Sequence, residues 1–270
     1  MRYLLRILLG LVGVYGVICA AMFFTQRSIL FHPGSEDVEL DVSRVPGASV
    51  ELLTTPDGEM LKAWWVAPRT SDAAVYLYLH GNAQTLTARD ERLAFLAKDG
   101  AGVLAISWRG YGGSTGEPSE VGLRTDALTA YEWLVSRVPA QQVIVFGESL
   151  GTSMAVELAA TQSVAALVLD SPFTSIAAVA RKEYPWLPTT LLLREKFDSM
   201  AFAPSVRVPV RAMHCAEDPL VSYALGEALI NAMTSTDKEL IPVPGRCHVP
   251  SVIALESALR QLERRFKAQG

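Results

Sequence analysis

Residues 143–153 read VIVFGESLGTS. The β-branched and aromatic run Val143-Ile144-Val145-Phe146 has the composition of a short, fully buried strand, and Met154 to Ala160 that of a helix. Between them Ser149 stands two residues from a glycine on each side, Gly147 and Gly151. A chain that turns from strand to helix within so few residues needs neighbours without a Cβ where the two elements approach. It also holds the serine in a strained conformation with its hydroxyl exposed, the physical content of a G-x-S-x-G elbow. Glycines are common in ordinary βα turns, so the pentapeptide alone does not decide. It does call for a strand before it and a helix after it, and the rest of the chain supplies that alternation.

ASVELLTTPDGEMLKAWWVAP predicts two strands around the turn Pro56-Asp57-Gly58. VYLYLHGN is a buried strand running into a loop, LTARDERLAFLAKDG a helix, and GVLAISWRGYGGSTG a strand with a glycine-rich turn. SEVGLRTDALTAYEWLVSRV is an amphipathic helix with Ser119 as its cap. Beyond the elbow, VAALVLDSPF, VPVRAMHCAEDPLV and DKELIPVPGRCH are strands, and VPSVIALESALRQLERRFK closes the chain as a helix. The expectation is an α/β fold. Its mostly parallel central sheet of about eight strands carries helices on both faces and an antiparallel hairpin at the N-terminal edge. No linker interrupts it after about residue 45, so residues 27–270 form one domain. A net charge of −4 without a Lys/Arg stripe gives no footprint for nucleic acid.

The N-terminus is a different material. Residues 7–26 carry no charge, and twenty helical residues span a bilayer core of about 30 Å. A cleaved signal peptide, cut after Ala21, is the rival reading. As an anchor over residues 1–26, the segment has Arg2 and Arg6 before the apolar run and only Arg27 close after it. The positive-inside rule then places the N-terminus in the cytoplasm and the large domain outside, in the periplasm if the cell is bacterial.

A serine hydroxyl needs a base, and the base an orienting carboxylate; after an elbow the acid precedes the histidine in the chain. Of four histidines, His32 and His80 precede Ser149 and His214 lies within a strand. His248, in a loop between the last strand and the last helix, fills the vacancy. Asp218, just past a strand end, fits as the acid; Asp170 is the alternative, with a plainer role in the turn at Ser171-Pro172. Donors for an oxyanion are expected from the backbone N–H of Leu150 and of Asn82 or Ala83. Gly81 lets that loop come close, and His80 braces it. Arg109, Tyr111 and Ser114 shape a neighbouring loop; Trp64 and Trp65 face opposite ways and receive no role. No metal ligands have zinc-like spacing and no cofactor motif is present.

Taken together, YLHGNAQ, SWRGYGGSTGEPSEVGLRTDA, GESLG, DSPFTSI, FDSM, VPVRAMHCAEDPLV and His248 resemble the α/β-hydrolase superfamily, and within it the BEM46-like group of membrane-anchored hydrolases. The resemblance covers roughly residues 27–265, including QRSILFHP after the anchor. It implies Ser149 as nucleophile, Asp218 as acid and His248 as base, acting on ester, thioester or peptide-like acyl bonds. Cys215 and Cys247 depart from the group's pattern and flank acid and base. They are either two small buried thiols or a disulfide tying the two loops, as an oxidising compartment would allow. Residues 172–204 leave room for a short cap in which Tyr184, Trp186 and Leu187 line an acyl pocket, or for a plain helix on the sheet. The expected molecule is a monomeric single-pass serine hydrolase for a small, lipid-like acyl substrate. Amide hydrolysis by the same groups and a silent membrane-anchored binding domain are the alternatives.

Overall fold

An apolar helix, α1 (Arg2–Leu30), opens the chain and is long and apolar enough to cross a membrane. The computed structural model describes residues 1–34, 44–83 and 85–268. Residues 35–43, Gln84 of the YLHGNAQ stretch and the last two residues of the expected 27–270 domain therefore lie outside the described residues. The 1–26 anchor boundary is not a break in structure. The helix runs on without interruption to Leu30, and Gln26 is buried against the domain that follows.

Strands β1 (Ala48–Thr54) and β2 (Met60–Val66) pair antiparallel around the Pro56-Asp57-Gly58 turn. There Gly58 takes φ +91°, a left-handed conformation that favours glycine. The sequence then alternates as expected: β3 (Val75–Leu79), α2 (Asp90–Ala97), β4 (Gly102–Ile106), α3 (Glu120–Val135), β5 (Val143–Glu148), α4 (Gly151–Thr161) and β6 (Ala166–Asp170). After two short helices, α5 (Ile176–Glu183) and α6 (Thr189–Leu192), come β7 (Val210–Cys215), α7 (Tyr223–Ala232), β8 (Lys238–Val243) and α8 (Val252–Ala268). One local difference is that the helix expected from Leu86 begins as a 3₁₀ turn, Leu86–Arg89, before α2.

The eight strands form one sheet in the order β1-β2-β4-β3-β5-β6-β7-β8. Every pair from β4 to β8 is parallel, and β2 joins β4 antiparallel. Alternate residues of β3 show why both faces are covered. Leu77 and Leu79 join a core with α3, α4 and α7, whereas Tyr76 and Tyr78 join one with α2 and α8. Trp64 and its neighbour Trp65 likewise pack into different cores. The order reverses between β3 and β5. The carboxyl ends of these two strands flank the switch point, where the crevice of an open α/β sheet forms.

Candidate active site

The crevice is built around the turn from β5 into α4. Ser149 takes φ +49°, a left-handed conformation uncommon for a residue with a side chain. Its backbone is held from both directions. The N–H donates to Asp170 O at 2.8 Å, and Ser149 O accepts from the Thr152 N–H at 2.9 Å and from Thr152 Oγ1 at 2.6 Å. The flanking glycines are needed for space. A Cβ at Gly147 would stand 2.6 Å from Thr152 Cα, and one at Gly151 would stand 2.1 Å from the Leu79 carbonyl oxygen.

Ser149 Oγ lies 2.8 Å from His248 Nε2, and His248 Nδ1 lies 2.8 Å from Asp218 Oδ2. The three come from the ends of three parallel strands, β5, β7 and β8. Asp218 follows β7 in a tight turn, with Oδ1 accepting from the N–H groups of Leu220 and Val221 at 2.8 and 2.9 Å. Burial raises the pKa of its carboxyl. Hydrogen bonds from His214, His248 and the Val221 N–H outweigh that and hold it well below the usual carboxylate range. An ionised Asp218 fixes Nδ1 of His248 as the protonated nitrogen and leaves Nε2 to accept from the hydroxyl. This line of contacts can draw the proton from Ser149 Oγ and hold it on an imidazolium facing a carboxylate.

The loop that carries His248 is tied at three nearby points. Cys247 is joined to Cys215, at the end of β7, by a disulfide with a Cα–Cα separation of 5.6 Å. The Ser171 hydroxyl donates to the His248 carbonyl, and Arg92 Nη2 donates to Pro250 O at 2.5 Å. Arg92 also pairs with Asp170 at 2.5 Å. Beside it, Arg89 pairs with Glu148 at 2.6 Å, and Tyr78 donates to Glu148 Oε2 at 2.5 Å. Both carboxylates are fully buried. Glu148, pushed up by burial, is brought below its ordinary value by Arg89, Arg92 and the Tyr78 hydroxyl. Asp170 is pushed up to about 6, because burial and the Glu148 charge outweigh Arg92. Asp170 therefore belongs to a buried charge cluster beneath the elbow and makes no hydrogen bond to the His248 ring among the described residues.

The loop after β3 approaches the elbow closely: a Cβ at Gly81 would lie 3.3 Å from Ser149 Cβ. Leu150, the residue before α4, is buried at the helix N-terminus, where backbone N–H groups and the helix dipole favour negative charge. Asn82 is anchored: its carbonyl and Oδ1 both accept from the Tyr111 hydroxyl at 2.9 Å, and Nδ2 donates to Leu30 O. Ala83 is exposed and forms a bridge with His32. His80, lowered to about 4 by burial, donates from Nδ1 to Gly81 O at 2.7 Å and accepts the Trp108 N–H at Nε2 at 3.3 Å. Arg109 binds Asp126 and Asp57, and Ser114 bonds Ser107 O, so both shape the adjacent loop. In the cap segment Leu187 is buried, Tyr184 half-buried and Trp186 exposed. Among the described residues no hydrogen bond ties these three to Ser149, His248 or Asp218.

Two parts of the site escape sequence reasoning. His214, fully buried in β7, reaches Asp218 Oδ2 at 3.4 Å and lies 3.0 Å from Val221 O. The four-residue spacing to Asp218 was the available signal. The cluster of Glu148, Arg89, Arg92 and Asp170 joins two strand ends to a segment, Leu86–Ala97, that reads as an ordinary helix; its signal was a carboxylate in an otherwise apolar strand end, VIVFGE.

A family model described as alpha/beta hydrolase fold matches residues 77–235, which include Ser149 and Asp218. An uncharacterized protein of Mycobacterium tuberculosis strain H37Rv is 39% identical over 227 residues, 83% of this chain and 80% of that one. The mouse lysophosphatidylserine lipase ABHD12 is 31% identical over 188 residues, 62% of this chain but 47% of the mouse protein. Among solved structures, the Pyrococcus furiosus esterase Pf2001 superposes with a TM-score of 0.71 at 21% identity, covering 88% of this chain and 98% of the esterase. At that identity the likeness shows the fold alone.

Proposed function

The chain belongs to the alpha/beta hydrolase family, and on that premise we propose that it is a serine hydrolase that cleaves carboxylic ester or thioester bonds through an acyl-enzyme, held at a membrane by α1. The observation that carries the reading is the unbroken line from Ser149 Oγ through His248 to Asp218 at 2.8 and 2.8 Å. Ser149 Oγ attacks the acyl carbonyl while its proton passes to His248 Nε2, and the Asp218 carboxylate stabilises the resulting imidazolium. The oxyanion is received by the N–H of Leu150 and by that of Asn82 or Ala83. Collapse of the tetrahedral intermediate breaks the bond to the alcohol or thiol, which leaves with the proton from His248. A water activated by the same histidine then releases the acid and restores Ser149.

A relative whose name reads lipase supports acyl-ester chemistry over other hydrolytic reactions. Arg2 and Arg6 ahead of α1 support a cytoplasmic N-terminus with the catalytic domain on the other side. The Cys215–Cys247 disulfide agrees with that oxidising side. The test is hydrolysis of a p-nitrophenyl ester series, from acetate to dodecanoate, by parent and Asp218→Asn. Loss of the charge that holds the His248 tautomer lowers kcat by about 10³–10⁴-fold with KM little changed. A variant within a few-fold of the parent would remove Asp218 from the machinery.

A further inference from the structure

The second half of α1 is not a free tether. Tyr15, Cys19, Met22, Phe23, Gln26 and Leu30 recur at helical spacing. Apart from Tyr15, these are residues whose exposure falls within an otherwise exposed helix. This stripe runs along the segment between α5 and the strand β7. Gln26 Nε2 donates to Leu192 O at 3.3 Å, and its Oε1 accepts the Arg194 N–H at 2.7 Å. The Tyr15 hydroxyl donates to Trp186 O at 2.9 Å, and Arg27 pairs with Glu195 at 2.6 Å. From Gln26 back to Tyr15 is eleven residues, about 17 Å along the helix axis. One leaflet of the hydrocarbon core is about 15 Å deep.

The two partners share one pattern of charge. Residues 184–193, YPWLPTTLLL, contain no charged side chain. They are bounded by Arg181, Lys182 and Glu183 on one side and by Arg194, Glu195 and Lys196 on the other. In α1 the charge-free run ends at Arg27, level with Glu195. The charged end at residues 194–196 thus meets the end of the α1 charge-free run in one layer, and the apolar parts extend together from it. Trp186 is 52% exposed and Leu191 83% exposed within that apolar part. Two polar side chains of α1 in that stretch are matched internally. A tyrosine hydroxyl within an apolar helix donates to a backbone carbonyl, and the buried glutamine amide donates to a second carbonyl and accepts from a backbone N–H, as a location without water requires.

We propose that residues 184–193 form a membrane-inserted lip of the catalytic domain, lying beside α1 in the leaflet nearest that domain, with Trp186 and Leu191 in contact with acyl chains. A charge-free segment of this length is too short to span and fits an interfacial or re-entrant element. The basic residues at its ends, Arg181, Lys182, Arg194 and Lys196, stand at headgroup level, suited to anionic lipid. Residues next to the lip and at the end of α1 border the crevice. At one border Lys182 Nζ donates to Pro219 O, next to Asp218; at the other, Leu30 and His32 hold Asn82 and Ala83. The site mouth therefore faces the membrane surface, and an acyl chain reaches Ser149 from the leaflet. The inference rests on α1 being a membrane anchor, and its test is independent of catalysis.

The full chain is reconstituted into phosphatidylcholine–phosphatidylglycerol vesicles with plain or brominated acyl chains, and tryptophan emission is compared between parent and Trp186→Phe. Of the five tryptophans, Trp64 and Trp108 are buried in the domain core and Trp65 packs on Trp133, which leaves Trp186 as the reporter. The expected result is quenching of the parent by brominated chains, most of it lost in Trp186→Phe. Equal quenching in both, with the protein co-floating with vesicles, would put the lip outside the bilayer and overturn the proposal. Failure to co-float would overturn the anchor and the lip together, while ester hydrolysis by Ser149 would stand or fall on its own assay.

Discussion

Ser149 occupies a backbone conformation that costs about 1–3 kcal/mol for a residue with a side chain. The hydrogen bonds to Asp170 O and from Thr152 hold it there. The side chain of the same Asp170 makes folding sensitive to pH. Its carboxyl titrates at about 6 in the folded protein against an ordinary 3.8. Between these values the unfolded chain is ionised at this residue and the folded chain is protonated, so folding takes up a proton. The contribution to stability is complete below the unfolded value and is lost as pH rises through about 6. Urea unfolding of parent and Asp170→Asn tests this. The stability difference, parent minus variant, falls by about 1–2 kcal/mol between about pH 4.5 and about pH 7; a difference that does not move with pH would contradict it. Ser149 and His248 were legible because the elbow pattern is specific and few histidines compete for its vacancy. Arg92 was not, because its helix reads as an ordinary amphipathic one. Nothing in a single sequence shows that a surface-type residue faces two carboxylates inside the fold.

At the scale of elements, Asp218 and His248 lie on loops that leave adjacent parallel strands, with Cys215 of β7 in register with Val243 of β8. The disulfide from Cys215 to Cys247 closes a sequence separation of 32 residues across that pair. Chain entropy alone gives such a cross-link about 3–4 kcal/mol. Replacing both cysteines by serine is expected to lower unfolding stability by about 2–4 kcal/mol, and reductant should bring the parent to the same midpoint. A parent indifferent to reductant would show that the two loops need no cross-link. That the strands beyond the hairpin run parallel was legible from their alternation with helices; their order, which reverses between β3 and β5, was not. Nor was the path of residues 172–204. Its short helices carry too few residues to show a period, and its partner, α1, lies more than 150 residues away in sequence.

At the scale of the whole molecule, an apolar helix packs directly on an α/β domain: α1 runs to Leu30, Asn82 binds Leu30 O, and Phe31 packs edge-on to Phe197. The reversal of strand order between β3 and β5 places the elbow and the Gly81–Ala83 loop on either side of one crevice beside that junction. Fold and apolar N-terminal helix were both readable from composition and periodicity, but their packing was not, since two charge-free segments carry no code for pairing. The central claim is that Ser149 is an activated nucleophile in the intact chain. Labelling of the vesicle-reconstituted protein by a fluorophosphonate probe measures this directly, with Ser149→Ala and His248→Ala alongside. The account predicts one label per chain on the parent, none on Ser149→Ala, and a loss of about 10³-fold or more in labelling rate for His248→Ala. A folded parent that takes no label, or a label that persists in Ser149→Ala, would contradict it.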